Sequence, residues 1–212
     1  MKLLYKEWAL AAHPSLYIFT FMGCLVMVPA YPYTVIFMFG CLSPYITFTY
    51  ARETNDAWYT ATLPVTKRDM VGAKCMLLMS AQIGQLLISI PFVVLRSAIG
   101  IAPNPVGMDP TLAWYGAGLT IYAAFNLIFL TNYYRTGYKA GRAFILAMVP
   151  VMLLMAAGEA CTHIPAFSFL DDNRPEQLLR QLPLLAAGLL LYGGSMAAAF
   201  SISAKRFEKV DL

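Results

Sequence analysis

Long apolar stretches alternate with short polar ones along the whole chain. A helix needs about 20 predominantly apolar residues to cross the hydrocarbon core of a bilayer. Stretches of that kind lie at about 15–31, 33–51, 70–95, 111–131, 143–163 and 181–204. Only Tyr31-Pro32-Tyr33 separates the first two, a proline turn flanked by tyrosines that favour a membrane interface. Ahead of them stands MKLLYKEWALAAHP, residues 1–14, whose mixed charge is unlike a cleavable leader. Wound as a helix, it sets Lys2, Lys6, Ala9 and His13 on one side and Leu4, Trp8, Ala11 and Ala12 toward another. That pattern predicts an amphipathic helix lying on a membrane surface. The expected fold is all-α: one polytopic membrane domain over 1–212, with six transmembrane helices, an N-terminal interfacial helix and no internal repeat.

Composition agrees. The chain is 59% apolar and 12% charged, with mean hydropathy +0.62. A soluble domain carries about 25% charged residues, so there is too little polar side chain here to cover a water-facing surface. Cys24, Cys41, Cys75 and Cys161 fall in or near the apolar stretches without C-x-x-C spacing, and they read as small packing residues.

The net charge of +4 is explained by topology. In the six-span arrangement one side carries twelve of the 15 Lys and Arg residues: Lys2, Lys6, Arg52, Lys67, Arg68, Lys74, Arg135, Lys139, Arg142, Lys205, Arg206 and Lys209. The other side carries Arg96, Arg174 and Arg180. Basic residues concentrate on the cytoplasmic side, so both termini are expected there, in a bacterial plasma membrane, and no nucleic-acid partner is implied.

Polar residues within the spans need partners, because lipid offers none. Gln82 and Gln85 share a face of the third span, Asn126 lies in the fourth and Glu159 in the fifth. Interhelical hydrogen bonding is their simplest use; Gln82, Gln85 and Asn126 are also candidates for lining a translocation path. Pro91 and Pro150 sit inside spans, where each removes a backbone donor. Gly188, Gly193, Gly194, Ser195 and Ala197 to Ala199 give the sixth span small surfaces suited to close helix approach.

No motif for an enzyme stands up. VGAKC at 71–75 lacks the preceding glycine and the hydroxyl residue of a phosphate loop. Ser195 and His163 could be nominated as an intramembrane protease pair, but they fall near opposite ends of successive spans, without the G-x-S-x-G setting. Two histidines and no carboxylate cluster give a metal site little support. Glu159 and His163, four apart, could form a proton-linked pair and so a secondary transporter. A non-transporting membrane sensor or scaffold is the other alternative.

The polar segment YARETNDAWYTATLPVTKRD, residues 50–69, is more informative. It predicts a short helix over about 52–62, a stop at Leu63-Pro64, and a restart capped by Thr66 and Asp69 in T-x-x-D form. Glu53, Asn55 and Asp56, followed by Leu63, Pro64, Val65, Thr66, Lys67, Val71 and Lys74, resemble the permeases of type-2 ATP-binding-cassette exporters, among them small bacterial permeases for phenol-soluble modulins and other peptide toxins. The resemblance implies a coupling helix that docks on an ABC ATPase, with Glu53, Asn55 and Asp56 as polar contacts and Trp58 and Tyr59 as anchors. It further implies a dimer with a second permease copy or a paralogue, two copies of the ATPase, and ATP and Mg held by that partner, with no cofactor on this chain. The exported substrate would be an amphipathic peptide, with lipid or a drug-like compound as alternatives.

Overall fold

The computed structural model describes residues 2–136 and 139–209. All regular structure among them is helical: α1 Lys2–Lys6, α2 Pro14–Phe21, α3 Val35–Glu53, α4 Asp56–Ala61, α5 Lys67–Ala98, α6 Leu112–Arg135, α7 Ala140–Thr162 and α8 Pro175–Phe207. A π-helical turn, Glu7–Ala11, continues α1, and 3-10 segments cover Met22–Met27 and Pro165–Asp171.

Helix ends follow local chemistry. Thr66 and Asp69 form the expected capping box on α5, the Asp69 amide donating to Thr66 Oγ1 at 3.1 Å and the Thr66 amide to Asp69 Oδ2 at 3.0 Å. At the far end of α5, Gly100 is left-handed (φ 71°), the Ile101 amide donates to Arg96 O at 3.2 Å and the Gly100 amide to Ser97 O at 3.3 Å, which satisfies the last carbonyls. Most helices overrun their apolar stretch by a turn or less, because polar flanking residues continue the backbone ladder past the membrane-facing part.

Among the described residues, α5, α6, α7 and α8 are long and apolar enough to cross a membrane. Lys2–Ala11 and Pro14–Met27 meet at a 99° bend and add a fifth span if that pair counts as one. The six expected spans are therefore not all recovered by length and composition. The stretch at 15–31 breaks from α-helix into 3-10 after Phe21. α3 is diluted by Ser43, Pro44, Thr47 and Thr49 and ends on Arg52 and Glu53.

α6 is the central helix: 61% of its apolar window is buried, against 17% for α7. Its aromatic face carries Trp114, Tyr122 and Phe129, which pack with Phe37 and Phe48 of α3, and Phe125, which stacks on Phe129. α6 and α8 approach through glycine. A Cβ on Gly188 would stand 2.5 Å from Gly116 O, and one on Gly116 would stand 2.7 Å from Leu184 O. The expected close approach is thus real at Gly188, whereas Gly193 and Gly194 have open space around them. The N-terminal segment lays Leu4, Trp8 and Ala12 against Leu16, Leu77 and Ala81, and Trp8 Nε1 donates to Ser80 Oγ at 3.0 Å. Its apolar side is therefore packed on α5.

Substituting Gly188→Leu should force α6 and α8 apart at a cost of about 1–3 kcal/mol, the usual penalty for overpacking. Thermal unfolding of the detergent-solubilised protein should show the loss, and Gly193→Ala should leave the midpoint unchanged.

Candidate functional site

The polar segment 50–69 folds as a turn, a short helix and a capped restart. Thr54 Oγ1 donates to Tyr50 O at 3.0 Å and closes α3, then Asn55 turns the chain in the left-handed region, φ 52°. Asparagine tolerates that conformation better than most residues. Six residues of α4 follow, and Leu63-Pro64 ends them. The continuous helix expected over 52–62 is therefore divided: Arg52 and Glu53 belong to α3, and the short helix is Asp56–Ala61.

The residues nominated for an ATPase contact separate into two groups. Glu53 and Asn55 are exposed, as are Trp58 at 66% and Tyr59 at 51%. Of the turn residues, Pro64 and Thr66 are exposed, while Leu63 and Lys67 are half-buried. Asp56 is turned inward and is 8% exposed, so its carboxylate is spent within the chain.

What Asp56 meets is a buried ionic cluster that sequence reasoning did not assemble. Asp56 Oδ1 is in contact with Lys6 Nζ, and Asp56 Oδ2 lies 2.7 Å from Lys74 Nζ. Lys74 Nζ also stands 2.5 Å from Glu7 Oε2, and Lys6 Nζ 3.0 Å from Glu7 Oε1. Lys6 Nζ completes its set by donating to Thr60 Oγ1 at 2.6 Å. Two ammonium groups and two carboxylates balance, which is what allows them to leave water together. Burial alone would raise the Asp56 carboxyl, but Lys74 and Lys6 outweigh it and hold it below its ordinary value of 3.8. The cluster fastens α4 to the N-terminal segment and to α5. One signal was available: Lys74 stands inside the apolar run MVGAKCMLLM and so requires a counter-ion. Beside the cluster opens a cavity of about 200 Å³, lined by Arg52, Asn55, Trp58, Tyr133, Tyr134 and Phe207 among others.

The three path candidates are hydrogen-bonded in two sets, Gln82 with Asn126 and Gln85 apart from them. Gln82 Nε2 donates to Asn126 Oδ1 at 3.0 Å, Asn126 Nδ2 returns a bond to Gln82 Oε1 at 2.7 Å, and Tyr192 OH donates to the same oxygen at 3.0 Å. Gln85 Nε2 donates to Phe19 O at 2.7 Å and Ile36 O at 3.1 Å, while Tyr122 OH donates to Gln85 Oε1. All five side chains are buried. They join α2, α3, α5, α6 and α8, and in this conformation their polar atoms are taken up by one another and by backbone carbonyls.

Glu159 and His163 do not meet in an ion pair. Glu159 accepts from Thr34 Oγ1 at 2.7 Å and from the Met108 amide at 2.9 Å, whereas His163 is exposed. The proton-linked pair of a secondary transporter is absent in this arrangement. The four cysteines are free thiols.

A bundle of apolar helices, with an ionically clamped short helix exposed at one end, defines a multi-pass membrane transport component. The family model described as ABC-2 family transporter protein matches residues 2–204. The chain belongs to that family, as a permease of an ABC transporter, and membership implies association with an ABC ATPase. Neither the curated proteins nor the solved structures hold a match.

Removing one partner from a buried ion pair costs about 3–5 kcal/mol, because the other charge stays behind unmatched. Asp56→Asn and Lys74→Met should each destabilise the protein by that order and loosen α4, read as faster amide exchange over residues 56–61. Since the Asp56 carboxyl is lowered, its contribution is fully present above about pH 4 and is lost as pH falls through its folded value. Acid should therefore release α4 in the wild type but add little in Asp56→Asn.

Proposed function

We propose that this chain is the membrane half of an ATP-driven exporter, working as a dimer with itself or a paralogue on two copies of a separate ABC ATPase. The observation that carries the reading is α4: its outer side presents Trp58, Tyr59 and the preceding Asn55, while its inner side is fixed through Asp56 and Thr60. An exposed aromatic pair on a rigid mount suits a protein contact, since aromatic anchors dominate binding energy when desolvated at an interface. Glu53 and Arg52 lie beside it as orienting charges.

Topology supports the side assigned. The ends of α3, α6 and α8 that carry Arg52, Arg135 and Lys205 gather around α4: Tyr134 packs on Phe207, and Arg206 donates to Thr131 O. With basic residues held inside, that end faces the cytoplasm of a bacterial cell, and both termini lie there. In this reading α2 with its 3-10 extension and α3 complete six spans, the six-residue α4 is the coupling helix, and ATP and Mg bind to the partner. The cargo that fits the resemblance is an amphipathic or antimicrobial-type peptide.

The test is co-purification with an ABC ATPase co-expressed with this chain. Trp58→Ala combined with Glu53→Lys should lower recovery of the ATPase at least tenfold and abolish ATP-dependent transport, with an unchanged melting midpoint. Full recovery of the ATPase with this variant would remove α4 as the contact.

A further inference from the structure

At the end of the bundle away from α4, the connection 99–111 between α5 and α6 closes over the helix ends. Its backbone is held by carboxylates. The Met108 amide donates to Glu159 Oε2 of α7 at 2.9 Å, and the Asp109 amide to Asp171 Oδ1 of the Pro165–Asp171 segment at 2.5 Å. Within the loop, the Asn104 amide donates to Asp109 Oδ1 at 3.1 Å. The Glu159 carboxylate lies close against Gly107, where an added Cβ would stand 2.7 Å from Oε2 and would displace it.

Three carboxylates gather here, and one of them, Asp109, is paired with a cation. Arg96, at the end of α5, lies 2.8 Å from Asp109 Oδ1, donates to Ala102 O at 2.7 Å and faces the Tyr33 ring at 5.0 Å. Arg96 and Asp109 are buried; Asp171 and Glu159 are half-buried. The other charged and titratable groups nearby do not supply the missing charge. Arg174 is exposed and bound to Asp172 at 2.8 Å, His163 is exposed and outside any ion pair, and Tyr31 and Tyr33 are neutral phenols. The cap thus holds an excess of two negative charges where the dielectric is low. The ionic cluster behind α4, by contrast, is balanced.

We propose that this cap is a proton-operated latch: uptake of a proton on the Asp109–Asp171 pair fastens the 99–111 loop to α7 and the 165–171 segment, and its release loosens them. A protonated carboxyl keeps a carbonyl oxygen to accept the loop amide, so the bonds survive while the repulsion falls. Burial raises both carboxyls above their ordinary range, and the Asp109 and Glu159 charges push Asp171 further. The sign follows from linkage. The closed cap keeps a proton that the opened, solvated carboxyl would release near pH 3.8. Closure is therefore favoured in acid and loses that contribution as pH rises through the raised value. In the exporter reading this end faces the outside, so an acidic medium would hold the exit shut; that consequence rests on the proposed topology, and the latch itself does not.

The experiment is amide exchange of residues 99–111 in the full chain in nanodiscs, where both faces meet the buffer, from about pH 4 to about pH 8, expressed as protection relative to the free peptide. Protection should fall with rising pH by up to about tenfold for each unit by which the shared proton's affinity is raised. Asp171→Asn keeps an oxygen acceptor and removes the charge, so it should hold the acid level of protection across the range. Asp172→Asn, at the exposed pair, should keep the wild-type profile. A flat wild-type profile overturns the latch, and so does an Asp171→Asn profile that keeps the wild-type slope or is loosened equally at every pH. Loss of ATPase binding by the chain would overturn the exporter reading and leave these profiles untouched.

Discussion

A polar group taken into a bilayer must find its partner within the protein, and that constraint organises this structure. Water offers an unpaired donor or charge an alternative; lipid does not. The few polar side chains of this apolar chain have accordingly collected into three clusters. An ionic one lies behind α4, one of amides and phenols sits in the middle, and one of carboxylates with a single guanidinium caps the far end. Between them the packing is aromatic and aliphatic, with glycine where α6 and α8 touch.

The clusters differ in charge balance, and their mechanical character follows. The α4 end is neutral and short-ranged, so it clamps. The middle is uncharged and saturated, so it locks helix register without long-range fields. The far cap is over-supplied with negative charge, which makes its closure sensitive to what binds there, a proton in the first instance. Transporters alternate access by changing one end against the other, and the two ends of this bundle differ in charge balance.

Much of this was legible along the sequence, for reasons that can be named. Helix positions followed the apolar stretches, and the restart at Thr66 followed from a capping box, because both depend on neighbours within a few residues. The partnership of Gln82 with Asn126 was readable only as a need for some partner. Asp56 was misread as a surface contact because Lys6, which claims it, lies 50 positions away. No local pattern encodes that distance. Lys6 looked like the wet side of a surface helix, and only the docking of Trp8 and Leu4 on α5 turns it inward beside Glu7. The division of the helix at Asn55 had a weak signal too, since asparagine is merely permissive of the left-handed turn.

One helix ties the three clusters together. Lys74, Gln82, Gln85, Ser89 and Arg96 recur at helical spacing on α5, and the last four are buried. At about 1.5 Å per residue, Lys74 and Arg96 stand about 33 Å apart, close to the thickness of the hydrocarbon core. Each end of that face is anchored to a different moving part, α4 at one and the 99–111 loop at the other. A displacement of α4 is opposed by the ionic cluster that ties it to α5, across the short 62–66 link that ends in the capping box. It must either break the ionic cluster or carry α5 along, and breaking a buried pair is the costlier course. A movement of α4 that left the ionic cluster intact would therefore be carried into α5, whose far end bears Arg96.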